Sequence, residues 1–297
     1  KEIKFYGGEP FLIDAYYKIW DDLLSINSKA KLHVVTNGTV LTDKIRNYLN
    51  KLNFTITVSF DSLDKKLFES IRQGADFDKV KKNIEEYNVL LGGKGLSLSF
   101  TPMKMNCREV PRVIDYCNTM NATINLSFVE NPAEMALWTM PSKELKELML
   151  FYNDYIFQPH SGVNSDYNIT AFKQFVVQIN TYYENNRKSE DDYFQNLKTE
   201  SESRSILLDI LAQALNDNII TESERVEIIK VINEVESGIS SFEQHIFFGN
   251  LAIFLEDKGL ESLKQFVSEG FDRSKLIQKL KEMIQMTDIY IKSYKQI

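Results

Sequence analysis

The first half of the chain alternates short strand-like runs with helical stripes, and no other feature restricts the fold as tightly. The strand-like runs are Glu2–Tyr6, Lys31–Thr36, Thr55–Phe60, Leu96–Thr101 and Thr123–Val129. Each is rich in β-branched or aromatic residues and partly continuous in apolar character, as in strands buried on both faces. Residues at helical spacing lie between them. Phe11, Leu12, Ala15, Ile19 and Leu23 follow Pro10, which suits a first helical position. Thr42, Asp64 and Asp76 stand where three further helices need caps. Arg108–Met120 carries another apolar stripe. This βαβα rhythm predicts parallel strands joined by crossovers. Five βα units with no visible reversal suit a barrel or part-barrel, although periodicity alone does not separate that from an open sheet.

The second half is helical nearly throughout. Stripes run over Leu145–Phe157, Ala171–Asn186, Ser205–Ala214, Glu222–Glu236, Phe242–Glu256, Leu260–Ser268 and Ser274–Tyr294. We therefore expect two regions, 1–141 and 142–297, with a joint near 158–168 and a weaker one at Asn185–Asp192. Thr221 and Glu224 form a capping box. Asn216-Asp217-Asn218 resembles the start of a calcium loop, but the glycine and the terminal glutamate are missing.

The 297 residues amount to about two domains, with a net charge of -7. That charge offers nucleic acid or an anionic bilayer no overall attraction. No apolar run approaches the roughly 18 residues of a membrane span. Two cysteines, Cys107 and Cys117, are too few for a disulfide framework and point to a reducing, cytoplasmic setting. Lying ten residues apart, they also lack chelating spacing.

Parallel α/β folds gather their ligands at the carboxyl ends of the strands. Here those ends read Gly7-Gly8-Glu9, Thr36-Asn37-Gly38, Ser59-Phe60-Asp61-Ser62, Thr101-Pro102 and Glu130-Asn131. Glycines let a ligand approach the backbone, and an acceptor-only carboxylate beside such a gap suits an ammonium or a pair of hydroxyls. Equally, Glu9 could simply complement a helix N-terminus. Ser59 and Asp61 share a strand face and could grip a diol, or Asp61 and Ser62 could cap the next turn. Arg72 could meet a carboxylate.

Taken in order, FYGGEP (Phe5–Pro10), VVTNGTVLT (Val34–Thr42) and VSFDSLDKKLFESIRQG (Val58–Gly74) resemble the radical S-adenosylmethionine (radical SAM) superfamily. FDKVKKNI (Phe77–Ile84), SLSFTPMKMN (Ser97–Asn106) and INLSFVENP (Ile124–Pro132) extend the likeness. The resemblance implies a partial (βα)6 TIM-like barrel, with the five units here corresponding to its second to sixth. It implies binding of S-adenosylmethionine through Gly7, Gly8, Glu9, Asn37, Ser59, Asp61 and Arg72. Glu9 would meet the methionyl ammonium, Ser59 and Asp61 the ribose region, and Arg72 the methionyl carboxylate. The backbone at Leu98–Thr101 and Phe128–Glu130 would border the adenine. It further implies a [4Fe-4S] cluster, an electron donor, and reductive cleavage to a 5′-deoxyadenosyl radical that abstracts hydrogen from a substrate, with a peptide as the class that analogy offers. The chain departs from the family in having no cysteine triplet. Either the cluster-binding unit lies upstream of Lys1, the expectation that the abrupt strand-like start favours, or this is a cluster-free relative acting as a binding or scaffold protein.

Overall fold

The computed structural model describes residues 2–26, 29–160 and 162–285. Five strands form one sheet: β1 (Glu2–Phe5), β2 (Lys31–Thr36), β3 (Asn53–Ser59), β4 (Leu96–Phe100) and β5 (Thr123–Leu126). They lie side by side in chain order and every pair is parallel. An unreversed order is that of a barrel segment, whereas a doubly wound sheet reverses at its middle. Helices α1 (Asp14–Ser25), α2 (Asp43–Lys51), α3 (Lys65–Ile71), α4 (Phe77–Leu90) and α5 (Val110–Thr119) connect the strands.

Three of these helices start where their caps predict. The side chains of Thr42, Asp64 and Asp76 accept from the main-chain N–H of Ile45, Leu67 and Lys79. The first helix differs from expectation. Pro10–Leu12 is a separate 3-10 turn, and α1 begins at Asp14. Leu12 and Ile19 are therefore exposed, and Trp20 points inward instead. Its indole packs edge-on to Phe5, Tyr17, Tyr48 and Phe54. The second tryptophan, Trp138, lies beyond β5 with 43% of its surface exposed.

The strands are not buried on both faces as their composition predicts. Burial alternates residue by residue along β2 and β4, and along β3 except at Thr57, which is buried too. Phe5, Leu32, Val34, Phe54, Ile56, Val58, Leu96, Leu98, Phe100 and Ile124 join the helices in one apolar core. The opposite face carries Lys4, His33, Thr55, Thr57, Ser59, Ser97, Ser99 and Thr123, most of them half-buried.

By contacts the chain divides into Lys1–Glu184 and Asn185–Ile297. The first unit thus extends past the predicted boundary at 141/142. Leu145, Leu148 and Tyr152 of α6 (Ser142–Asn153), with Phe172, Phe175 and Ile179 of α7 (Ser165–Asn196), belong to the core that holds the sheet. The predicted joint near 158–168 ends at an anchor. Asn168 is fully buried, accepts from the Ile124 N–H at 2.9 Å, and donates to Asn118 Oδ1 and Ala122 O at 2.8 and 2.9 Å.

The second unit packs α8 (Glu200–Asn216), α9 (Glu222–Ser237), α10 (Ser241–Ser268) and α11 (Arg273–Gln285) around Leu211, Val231, Ile232, Phe247, Phe248 and Leu251. The expected break between Phe242–Glu256 and Leu260–Ser268 is absent: α10 runs through Gly259. Thr221 and Glu224 make the predicted capping box. The predicted residues 286–294 of the last helix fall outside the described part. Among the described residues no helix is long and apolar enough to cross a membrane.

Candidate functional site at the carboxyl rim of the sheet

β1 ends in Gly7 and Gly8 at φ +92 and +56, values that favour glycine, and a Cβ at either would meet nothing within 4 Å. Open space therefore lies directly over this backbone. Glu9 follows, half-buried. Its Oε1 accepts from Thr36 Oγ1 at 2.7 Å and from the Phe11 N–H at 3.1 Å; its Oε2 accepts from the Asn37 N–H at 2.8 Å. Glu9 thus does cap the following turn, and it also holds the end of β2. All three donors are neutral, and Glu9 makes no ion pair among the described residues. A carboxylate offers about four acceptor positions, so one on Oε2 is left.

The Thr36-Asn37-Gly38 turn is fixed from below. Thr36 Oγ1 accepts from the Gly38 N–H at 3.1 Å, and Asn37 Oδ1 accepts from Thr39 N–H and Oγ1 at 2.9 and 2.7 Å. Buried Asn83 and Tyr87 of α4 donate to Gly38 O and Val40 O at 2.8 and 2.6 Å. Burial, and then the charge of Glu9, push the Tyr87 phenol up, so it stays protonated as a donor. The Asn37 side chain itself is exposed.

At the end of β3, Ser59 sits half-buried on the polar face, while Asp61 is almost wholly buried at 1% exposure. Asp61 Oδ1 accepts from the Thr101 N–H at 2.9 Å, and Oδ2 accepts from Arg72 Nε at 2.6 Å. Arg72 therefore meets a carboxylate within the chain. Ser59 and Asp61 do not form an open pair: Asp61 ties the end of β3 to that of β4. Ser62 makes a local turn with Asp64 rather than a cap.

Asn106 completes the floor and is the residue that motif reading passed over, although it closes the SLSFTPMKMN stretch. It is buried, donates to Asp61 O and Thr101 O at 2.9 and 3.1 Å, and accepts from the Met103 N–H at 2.6 Å. Its only sequence signal is a lone Asn after a strand, which is common in turns. The fifth predicted strand end is not part of this network. β5 stops at Leu126, leaving Glu130 and Asn131 exposed beyond it.

Residues 1–95 match the family model described as the Radical SAM superfamily. This part of the chain is similar to the radical SAM superfamily. The chain is 29% identical over 130 residues to a probable GTP 3',8-cyclase of Methanococcus maripaludis, covering 42% of each chain. It is 32% identical over 105 residues to a GTP 3',8-cyclase of Clostridium botulinum, covering 35% of this chain and 30% of the relative. The chain thus spans less than half the length of these curated relatives. Among solved structures, Streptococcus suis SuiB bound to S-adenosylmethionine is similar at 19% identity and a TM-score of 0.39, over 52% of this chain and 36% of that one.

Cys107 and Cys117 are both buried, and burial pushes both thiols up, away from the thiolate that binds iron. Among the described residues no group of three or more His, Cys, Asp or Glu is placed to hold a metal ion.

Proposed function

We propose that the carboxyl rim of the sheet holds S-adenosylmethionine and that the chain belongs to an enzyme that cleaves this cofactor reductively. One observation carries the reading: Glu9 is a carboxylate without an ion-pair partner among the described residues, beside backbone that Gly7 and Gly8 leave bare. A methionyl ammonium supplies the missing positive charge. In this reading Asn37 flanks the ammonium and the Ser59 hydroxyl meets the ribose. Asp61 and Arg72 act at one remove, by holding the Thr101 backbone that borders the adenine.

These residues fit the cofactor's polar end. Bound there, S-adenosylmethionine supplies a carbon–sulfur bond that breaks on one-electron reduction. The residues of this sequence do not fit an iron–sulfur cluster, so no step is derived through one. Family analogy offers a peptide as substrate. The rival reading is a binding protein that holds S-adenosylmethionine without cleaving it.

Calorimetric titration with S-adenosylmethionine tests the cofactor reading. Glu9→Gln keeps the shape and removes the charge. Binding should weaken about tenfold or more, and equal binding by the variant would remove Glu9 from this role. Chemistry is read on the full gene product, supplied with iron, sulfide and a reductant. Release of 5′-deoxyadenosine supports the enzyme, and cofactor that stays intact supports the rival.

A further inference from the structure

All-parallel sheets almost always have both faces covered. Here the helices cover one face, and the other is a polar surface with a cavity of about 340 Å³ at its amino end. Glu2 and Lys4 of β1, Lys31 and His33 of β2, Thr55 of β3, Ser97 of β4 and Thr123 of β5 line it. It lies away from the rim: Thr55 and Ser59 on β3 are four residues apart, about 13 Å along the strand.

The polar groups in the cavity are built in an ordered way. The His33 ring sits between two hydroxyls, with Nδ1 at 3.0 Å from Thr55 Oγ1 and Nε2 at 3.4 Å from Thr57 Oγ1. Ser97 and Thr123 bond to each other across β4 and β5. Lys4 makes no ion pair among the described residues, while Lys31 pairs with Glu2 at 3.4 Å. That pair is half-exposed on both sides, so it is weak and replaceable. One end of the cavity is thus cationic with a charge to spare, and the other is a set of neutral hydroxyls.

We propose that this cavity is a second ligand site, separate from the rim, for a small polyhydroxylated molecule carrying one oxyanion. The oxyanion meets Lys4 and Lys31, and the hydroxyls meet Thr55, Ser97 and Thr123. A phosphate monoester and a sugar carboxylate share this chemistry. The site stands on the geometry of the polar face and is independent of cofactor binding at the rim.

The test is calorimetric titration of the chain with ribose 5-phosphate, with gluconate, and with ribose as the neutral control. One of the two anions should bind, and the stronger identifies the phosphate or the carboxylate class; ribose should not bind measurably. Lys4→Ala should weaken that binding about tenfold, the loss of one charge-assisted hydrogen bond. Thr55→Val should weaken it several-fold. Far-UV circular dichroism shows that each variant is folded, and Lys4, being exposed, should leave the fold intact. No binding of either anion by the unaltered chain, or binding that Lys4→Ala leaves unchanged, overturns the proposal.

Discussion

The main-chain N–H of Asn37 donates to Oε2 of Glu9 at 2.8 Å, so the turn after the second strand is tied to the turn after the first. The same carboxylate is reached from Thr36 Oγ1, which lies under the turn at 2% exposure. Thr36→Val keeps the volume but removes that donor, and it also takes away the acceptor of the Gly38 N–H. The variant should lose about 1–3 kcal/mol in urea unfolding. It should also bind S-adenosylmethionine more weakly although the Glu9 charge is untouched. Undiminished stability would show that Thr36 does not hold this turn.

Two glycines of the rim separate conformational strain from crowding. An added Cβ at Gly7 meets open space, so Gly7→Ala bears only the strain of φ +92, about 1–2 kcal/mol. At Gly38, with φ +75, the Cβ would stand 2.8 Å from Val58 Cγ1 and 3.1 Å from Val80 Cγ1. Gly38→Ala should therefore lose more stability than Gly7→Ala, by about 1–3 kcal/mol of overpacking. Chemical denaturation of both variants checks the order; equal losses would contradict it.

Breaking the Asp61–Arg72 pair should be asymmetric. The Asp61 side chain is 2% exposed and that of Arg72 35%. Arg72→Ala strands a carboxylate in the interior and should be destabilising by about 3 kcal/mol or more. Asp61→Asn still accepts from the Thr101 N–H and leaves a guanidinium that water can reach, so it should lose less. Thermal melts of the two variants give the comparison, and the reverse order would place the buried charge elsewhere.

The cysteines should be chemically quiet. Burial raises both Cys107 and Cys117, so their thiols stay protonated to a higher pH than a free thiol, and neither is open to reagent. Ellman's reagent at neutral pH should find almost no thiol in the folded chain and both in denaturant. Fast reaction in the folded state would mean that one of them is accessible.

The helix starts are legible because a cap is a local event. Thr42, Asp64, Asp76 and Thr221 each bond to an N–H three residues on. The inward face of α1 is not. Spacing counted from Phe11 runs through Ile13, where the backbone is extended at φ -96 and ψ 105, and the helical phase restarts after it. Trp20 gains the core position that Ile19 loses. Gly259 reads as a break, yet it lies inside α10 without the positive φ that ends helices.

At the rim, the residue types are visible in order along the chain, but their uses are not. The fate of Asp61 is decided by Thr101, forty residues away, and by Asn106, forty-five away. No local pattern encodes such a contact. The polar face of the sheet was there to be read in Thr55, Thr57 and Ser59 and in Ser97 and Ser99, alternating with apolar neighbours. The strong β-propensity of those neighbours masks the alternation.

The chain's two tryptophans give it two built-in fluorophores with opposite surroundings. Trp20 is sealed among aromatic rings, and its indole N–H finds no acceptor among the described residues. It should emit at short wavelength and escape iodide quenching. Trp138, partly in water beyond β5, should emit to the red and quench readily. A single spectrum recorded with and without iodide therefore separates loss of the helix-covered core from a change in the segment that follows the sheet.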